Sequence, residues 1–341
     1  MAAPGWIDLL VWMNEPTTST FLYNLLIFTV SIIVLAKASH IVIKNAVKIA
    51  KITRLGELVI GFILLSVATT FPELAVSFSA IVSGNVGISM GNILGSCVTN
   101  LCLIMAIPAI MSPISIERGT FEKLPTVLFL SSMIPLLLLT VQHAEKYVGF
   151  ALVSAFAFFA LYSVKKKISL KVISREPVDV LKRIMLPFEF YKSLAFMIFG
   201  IAIVLLSSNF VVESASNISS SIGIAGSVLG ATIIALGTSL PELSVSLTAI
   251  HTRHRNLGIG NIIGSCLTNM TLVLGIILLF SPATVNISIF STLLIFVIAT
   301  TMISWYFFTT GRTLDRREGI ILIFIYIVFI ISTFGVQITI I

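Results

Sequence analysis

The sequence predicts an all-α polytopic membrane protein: ten transmembrane helices as two inverted five-helix repeats, with broken helices at the midplane. Three observations predict it. The first is composition: 57% of the 341 residues are hydrophobic, 10% are charged and the mean hydropathy is +1.10. One soluble core cannot hide that much apolar surface. The second is a stretch written twice. Thr69 to Asn100 aligns with Thr238 to Asn269 without a gap, at a constant offset of 169 and with 16 of 32 positions identical. The third is the placement of the charges.

A bilayer-spanning helix needs about 20 apolar residues. Runs of that kind cover 20–36, 58–82, 88–112, 124–142, 148–164, 191–212, 224–250, 257–280, 287–307 and 319–340. They are continuous rather than alternating, which excludes a β-barrel reading. Residues 1–19 lack a basic leader region and carry Asp8 and Glu15, so they do not read as a cleaved signal peptide. Trp6 and Trp12 suit a short segment at the outer interface. The chain divides into a first five-helix half, 1–164, holding repeat 58–112, and a second half, 191–341, holding repeat 224–280. A basic cytoplasmic connector, 165–190, joins them, and no loop is long enough for a separate soluble domain.

A net charge of +7 invites a nucleic-acid reading, but the positions of the charges exclude it. With both termini outside, 20 of the 21 Lys and Arg residues fall in inside loops, and Lys146 alone falls outside. That is the positive-inside rule at nearly full strength, so basicity reports topology in a multi-pass cell-membrane protein. The row Lys37, His40, Lys44, Lys48, Lys51 follows a helical period and reads as a basic helix face at the inner surface. Lys51 and Arg54 precede the first repeat, whose mid-loop Ser83–Gly87 is uncharged. The second repeat has no cation in 213–223 and a basic mid-loop, His251 to Arg255. The repeats therefore enter from opposite sides, an arrangement common in secondary transporters with a midplane site.

Of 14 acidic residues, only Glu73 and Glu242 fall well inside a span, at equivalent positions of the duplication. A carboxylate there costs roughly 2.5–3.5 kcal/mol on insertion scales. No Lys, Arg or His lies mid-span to pair with it. Each Glu follows a proline. Pro72 and Pro241 lack an N–H, so the carbonyls of Ala68 and Gly237 lose their helical donor one turn away. Thr69/Glu73 and Thr238/Glu242 share a helix face at i, i+4. Carboxylate, carbonyl and hydroxyl oxygens together make a hard ligand set suited to Ca²⁺ or Na⁺. A plain proline kink is the bland alternative, but two matched kinks with matched carboxylates exceed it.

The second part of each copy supplies a polar stripe: Asn92, Ser96, Asn100 and Asn261, Ser265, Asn269. For Ser96, Asn100, Ser265 and Asn269, spacing alone leaves ion coordination and interhelical hydrogen bonding both open. Gly91/Gly95 and Gly260/Gly264 read as close-packing pairs. Cys97, Cys102 and Cys266 lie within spans without metal-site spacing or a disulfide pattern. The four histidines sit near span ends without ligand spacing. There is no HExxH, GxSxG or Walker A motif, so a protease, hydrolase or ATP-driven pump finds no support.

At Thr69-Thr-Phe-Pro-Glu73 with Gly91-Asn-Ile-Leu-Gly-Ser96, and at Gly237-Thr-Ser-Leu-Pro-Glu242 with Gly260-Asn-Ile-Ile-Gly-Ser265, the chain resembles the sodium/calcium exchanger family. This is the cation/calcium antiporter superfamily, with paired repeats of the form GTSxPE…GNxxGSN. The missing regulatory loop is similar to compact prokaryotic members. The resemblance implies a transporter rather than an enzyme, without cofactor, working as a monomer among membrane lipids and exchanging Na⁺ for Ca²⁺ by alternating access. It implies Ca²⁺ ligation by Glu73 and Glu242 with the backbone oxygens of Thr69 and Thr238. It implies Na⁺ sites drawing on Ser66, Thr70, Ser96, Asn100, Ala235, Ser239, Ser265 and Asn269, with Ser66 and Ala235 acting through carbonyls. In the family the first and sixth spans, here 20–36 and 191–212, slide across the other eight.

Three departures mark this chain. Cys97 and Cys266 stand where the family usually has Asn, copy one opens Ala68-Thr-Thr, and Asn269 stands where many exchangers have Asp. Two carboxylates carry a formal charge that one Ca²⁺ or two Na⁺ neutralise. Exchange of Ca²⁺ or another divalent cation against H⁺ is the alternative, and a passive channel a remoter one.

Overall fold

The computed structural model describes residues 16–52, 65–111, 114–115, 126, 128–129, 132–133, 145–171, 188–251, 255–281, 290–310 and 313–338. The interfacial Trp6 and Trp12, most of span 124–142 and the middle of the connector lie outside the described residues. Among those described, six helices are long and apolar enough to cross a bilayer. A bent pair, Gly226–Thr238 with Leu240–His251, makes a seventh span.

In chain order, α1 is Pro16–Ile52, α2 Leu65–Thr69, α3 Phe71–Val82 and α4 Val86–Met111. Helix α5 is Glu145–Lys171 and α6 Phe188–Ile222. In the second half, α7 is Gly226–Thr238, α8 Leu240–His251 and α9 255–280. Last come α10, Ser291–Thr310, and α11, Arg316–Ile338. The protein is an all-α polytopic membrane protein, and among the described residues its helices follow nine of the ten predicted runs in order, the fourth, 124–142, lying mostly outside them.

Two elements outgrow their predicted spans. Helix α1 has 37 residues and α6 has 35, where the apolar runs cover 20–36 and 191–212. Their polar extensions stay helical because no proline or glycine interrupts them and one face stays packed. The two run antiparallel, with Asn217 Nδ2 donating to Asn24 Oδ1 at 3.1 Å. Further along, a Cβ on Gly200 would stand 2.9 Å from Val42 and 3.3 Å from the Ala38 carbonyl. Both ends of the 165–190 stretch are helical, since α5 continues to Lys171 and α6 begins at Phe188.

The turn from α3 to α4 closes as a Schellman motif. Asn85 N donates to Ala80 O at 2.7 Å, Gly84 N to Ile81 O at 3.0 Å, and Gly84 takes φ +77°. Helix α4 then lies against α7 almost backbone to backbone. A Cβ on Gly91 would fall 2.3 Å from the Ser227 carbonyl oxygen, and one on Gly95 2.3 Å from that of Ala231. The packing role predicted for this glycine pair is thus what the structure has. Helix α11 opens with a reciprocal capping box, Asp315 N to Glu318 Oε2 at 2.9 Å and Glu318 N to Asp315 Oδ1 at 2.8 Å. Two-residue strands, β1 (Ile114–Ser115) and β2 (Thr313–Leu314), pair antiparallel, a tie with no signal in the sequence.

The internal two-fold can be located from contacts between equivalent residues. Cys97 Sγ donates to Cys266 O at 3.6 Å and Cys266 Sγ to Cys97 O at 3.7 Å. Ser132 Oγ and Thr301 Oγ1 share a hydrogen bond of 2.9 Å. Both pairs are separated by the repeat offset of 169, so each residue meets its own duplicate. Only positions on a two-fold axis can do that. The axis runs through the buried core where α4 crosses α9.

Candidate cation site

Each repeat breaks one helix beside its glutamate. Thr70, between α2 and α3, has φ −77° and ψ −3°, and Ser239, between α7 and α8, has φ −83° and ψ 2°. These equivalent residues share one non-helical conformation, and the α7/α8 pair bends by 40° there. Pro72 and Pro241 follow at once, at the start of the next helix, where a missing N–H costs nothing. Glu73 and Glu242 then lie in the first turns of α3 and α8, each 0% exposed.

The breaks interlock across the two-fold. Thr69 Oγ1 donates to Asn261 Oδ1 at 3.2 Å, and Thr238 Oγ1 to Asn92 Oδ1 at 3.1 Å. Asn92 Nδ2 reaches Ser77 Oγ at 3.0 Å and the Glu73 carbonyl at 3.2 Å, while Asn261 Nδ2 reaches Ser246 Oγ at 3.1 Å. Thr69 Oγ1 also pairs with Ser265 Oγ at 3.1 Å. Ser239 Oγ of the second repeat donates to Glu73 Oε1 of the first at 3.2 Å. The hydroxyls of Thr69 and Ser265 border the Glu242 carboxylate, and the two carboxylates lie within electrostatic reach of each other. One buried polar centre is built from both halves.

These bonds separate two readings that spacing left open. Asn92 and Asn261 are braces whose amides are spent on bonds within and between repeats. Asn100 and Asn269 differ: both side-chain atoms of each are buried without a partner. So are Ser66 Oγ, Thr70 Oγ1, Ser96 Oγ, Glu73 Oε2 and both Glu242 carboxylate oxygens. Ten of the thirteen orphaned buried side-chain atoms among the described residues thus belong to residues picked from the sequence. Each orphan costs about 1–3 kcal/mol, and more if charged. Folded proteins normally leave few such atoms.

Sequence reasoning missed three features. Ser77 and Ser246, which steady the asparagine braces, were findable as identical repeat positions one turn beyond each glutamate. Thr99 carries an orphaned, buried hydroxyl next to Asn100. Helices α4 and α9 also widen into π-helical turns at Thr99–Ile104 and Asn269–Val273, which contain the two equivalent asparagines, Asn100 and Asn269. No residue pattern announces such turns, although they recur at functional sites.

The fold and the centre define a polytopic membrane transporter of cations, with inverted repeats around a shared carboxylate site. The family profile described as Sodium/calcium exchanger protein matches residues 23–165 and 192–335, and the chain belongs to that family. Its relatives include Sodium/calcium exchanger MaX1 of Methanosarcina acetivorans, 29% identical over 345 residues, 91% of this chain and 98% of that protein. Putative antiporter CaxA of Alkalimonas amylolytica is 28% identical over 257 residues, 75% and 81% of the two chains. Among solved structures, the sodium-calcium exchanger NCX_Mj soaked with 10 mM Na⁺ and zero Ca²⁺ superposes with a TM-score of 0.65. It is 25% identical, covering 92% of this chain and 99% of that one. The family is one of membrane exchangers, not enzymes.

Proposed function

We propose that the protein exchanges Na⁺ for Ca²⁺ by alternating access at this centre. The observation that carries the reading is the pair of fully buried carboxylates, one per inverted repeat, among orphaned oxygens. Ca²⁺ is taken by Glu73 and Glu242 with the carbonyls of Thr69 and Thr238, whose hydroxyls are committed to bracing. Na⁺ sites flank it, drawing on Ser66, Thr70, Ser96, Ser239, Ser265 and the carbonyl of Ala235, with Asn100 and Asn269 closing the ring. Ca²⁺ and Na⁺ are competing cargoes for one set of oxygens, which couples their fluxes. The positive-inside pattern orients the chain with its termini outside and the connector in the cytoplasm.

In proteoliposomes, an outward Na⁺ gradient drives Ca²⁺ uptake, and Glu73→Gln or Glu242→Gln abolishes it. Ca²⁺ uptake that ignores the Na⁺ gradient but follows a pH gradient assigns proton coupling instead. Flux that never runs uphill against either gradient makes the protein a channel.

A further inference from the structure

Along α1, Lys37, His40, Lys44 and Lys48 recur every three or four residues, and all four side chains are exposed. Between them Leu35, Ala38, Val42 and Ala46 are buried, so one helix face packs into the protein while a cationic file looks outward. The duplicated helix α6 keeps the packing but not the charge. At the offset of 169 its equivalent residues are Leu206, Asn209, Glu213 and Asn217. The cations therefore belong to this helix rather than to the shared architecture.

The register of the antiparallel pair fixes how far the file climbs. Asn24 sits beside Asn217, and Ala38 and Val42 beside Gly200. Lys48 then stands level with about residue 193 and Lys37 with about residue 204, roughly 17 Å further along at 1.5 Å per residue. Beside that stretch α6 exposes Phe196, Ile198 and Phe199, a surface for acyl chains. A loop charge set only by sidedness has no reason to climb a span in single file. A lysine beside acyl chains must run its stem along the helix and carry its ammonium to the headgroup layer. At the lower end Glu189 and Lys192 of α6 are both exposed and offset one another, which leaves the file net cationic.

We propose that this file is a binding site for anionic phospholipid of the cytoplasmic leaflet, with the phosphate and negative headgroup held by Lys37, Lys44 and Lys48. Which leaflet is occupied rests on the proposed orientation. The binding itself does not rest on the antiport reading. Its consequence for transport does: α1 is one of the two helices the family resemblance makes mobile, so lipid held there tunes the rate of exchange.

The test compares the wild-type protein with the triple variant Lys37→Gln, Lys44→Gln, Lys48→Gln by native mass spectrometry, titrating phosphatidylglycerol or phosphatidylcholine. Wild type is expected to retain phosphatidylglycerol at least about tenfold better than phosphatidylcholine, and the variant to lose that preference. Thermal stabilisation by Ca²⁺, unchanged in the variant, establishes that it is folded with its cation site intact. A preference equal in the two proteins, or absent from wild type, overturns the proposal. In vesicles of phosphatidylcholine with about one quarter phosphatidylglycerol, Ca²⁺ uptake by wild type but not by the variant exceeds that in phosphatidylcholine alone. Failure of Na⁺ to drive uptake in any vesicle sinks the antiport reading and leaves the retention result standing.

Discussion

Glu73 and Glu242 sit fully buried, and the carboxylate oxygens left unbonded in each carry an uncompensated desolvation cost. A bound cation relieves that cost, so Ca²⁺ at about one hundred times its dissociation constant stabilises the fold by about 2.7 kcal/mol. Differential scanning should register this as a rise in Tm for wild type and no rise for Glu73→Gln or Glu242→Gln. Asn92 makes a contrasting prediction. Its amide ties together Thr238, Ser77 and the Glu73 carbonyl, so Asn92→Ala strands several buried groups at about 1–3 kcal/mol each. The expected result is a lower Tm before any cation is added. Asn269→Asp places a third carboxyl in the ring, and its Ca²⁺ affinity should rise with pH more steeply than that of wild type, as titration calorimetry can measure.

At the scale of elements, the tightest constraint is the approach of α4 to α7. A methyl group at Gly91 or Gly95 would drive into a carbonyl oxygen of the facing helix at 2.3 Å. Gly91→Ala and Gly95→Ala should each destabilise by roughly 1–3 kcal/mol as the helices separate. Gly84→Ala meets no neighbour but must hold φ +77°, so it should cost only about 1–2 kcal/mol. Chemical denaturation distinguishes the two outcomes. The glycines, the proline-adjacent breaks and the order of the spans were legible in the chain because each has a local cause: backbone approach, a missing N–H, apolar length. The lengths of α1 and α6 were not: the basic helix face Lys37–Lys51 was legible as helix but not as a continuation of the first span, and Ser214–Ile222 reads as loop by hydropathy yet stays helical through packing. The π-helical turns at Asn100 and Asn269 were hidden for a similar reason, since one extra residue per turn leaves hydropathy unchanged.

For the molecule as a whole, the constant offset of 169 proves to be a spatial operator. It carries Cys97 onto Cys266 and Ser132 onto Thr301, each in direct contact with its image. It also exchanges the brace Thr69–Asn261 for Thr238–Asn92. The candidate site was legible because the duplication wrote its residues twice. The braces between copies were not, since an alignment pairs equivalent residues while the hydrogen bonds join non-equivalent ones. A centre shared in this way has to treat its two glutamates as one site. Calorimetric titration of Ca²⁺ at increasing Na⁺ tests that most directly. The account predicts a single Ca²⁺ per chain, an apparent Kd that climbs with Na⁺, and loss of all binding when either glutamate becomes glutamine. Ca²⁺ binding that is indifferent to Na⁺, or that survives in one of the two variants at wild-type strength, would contradict it.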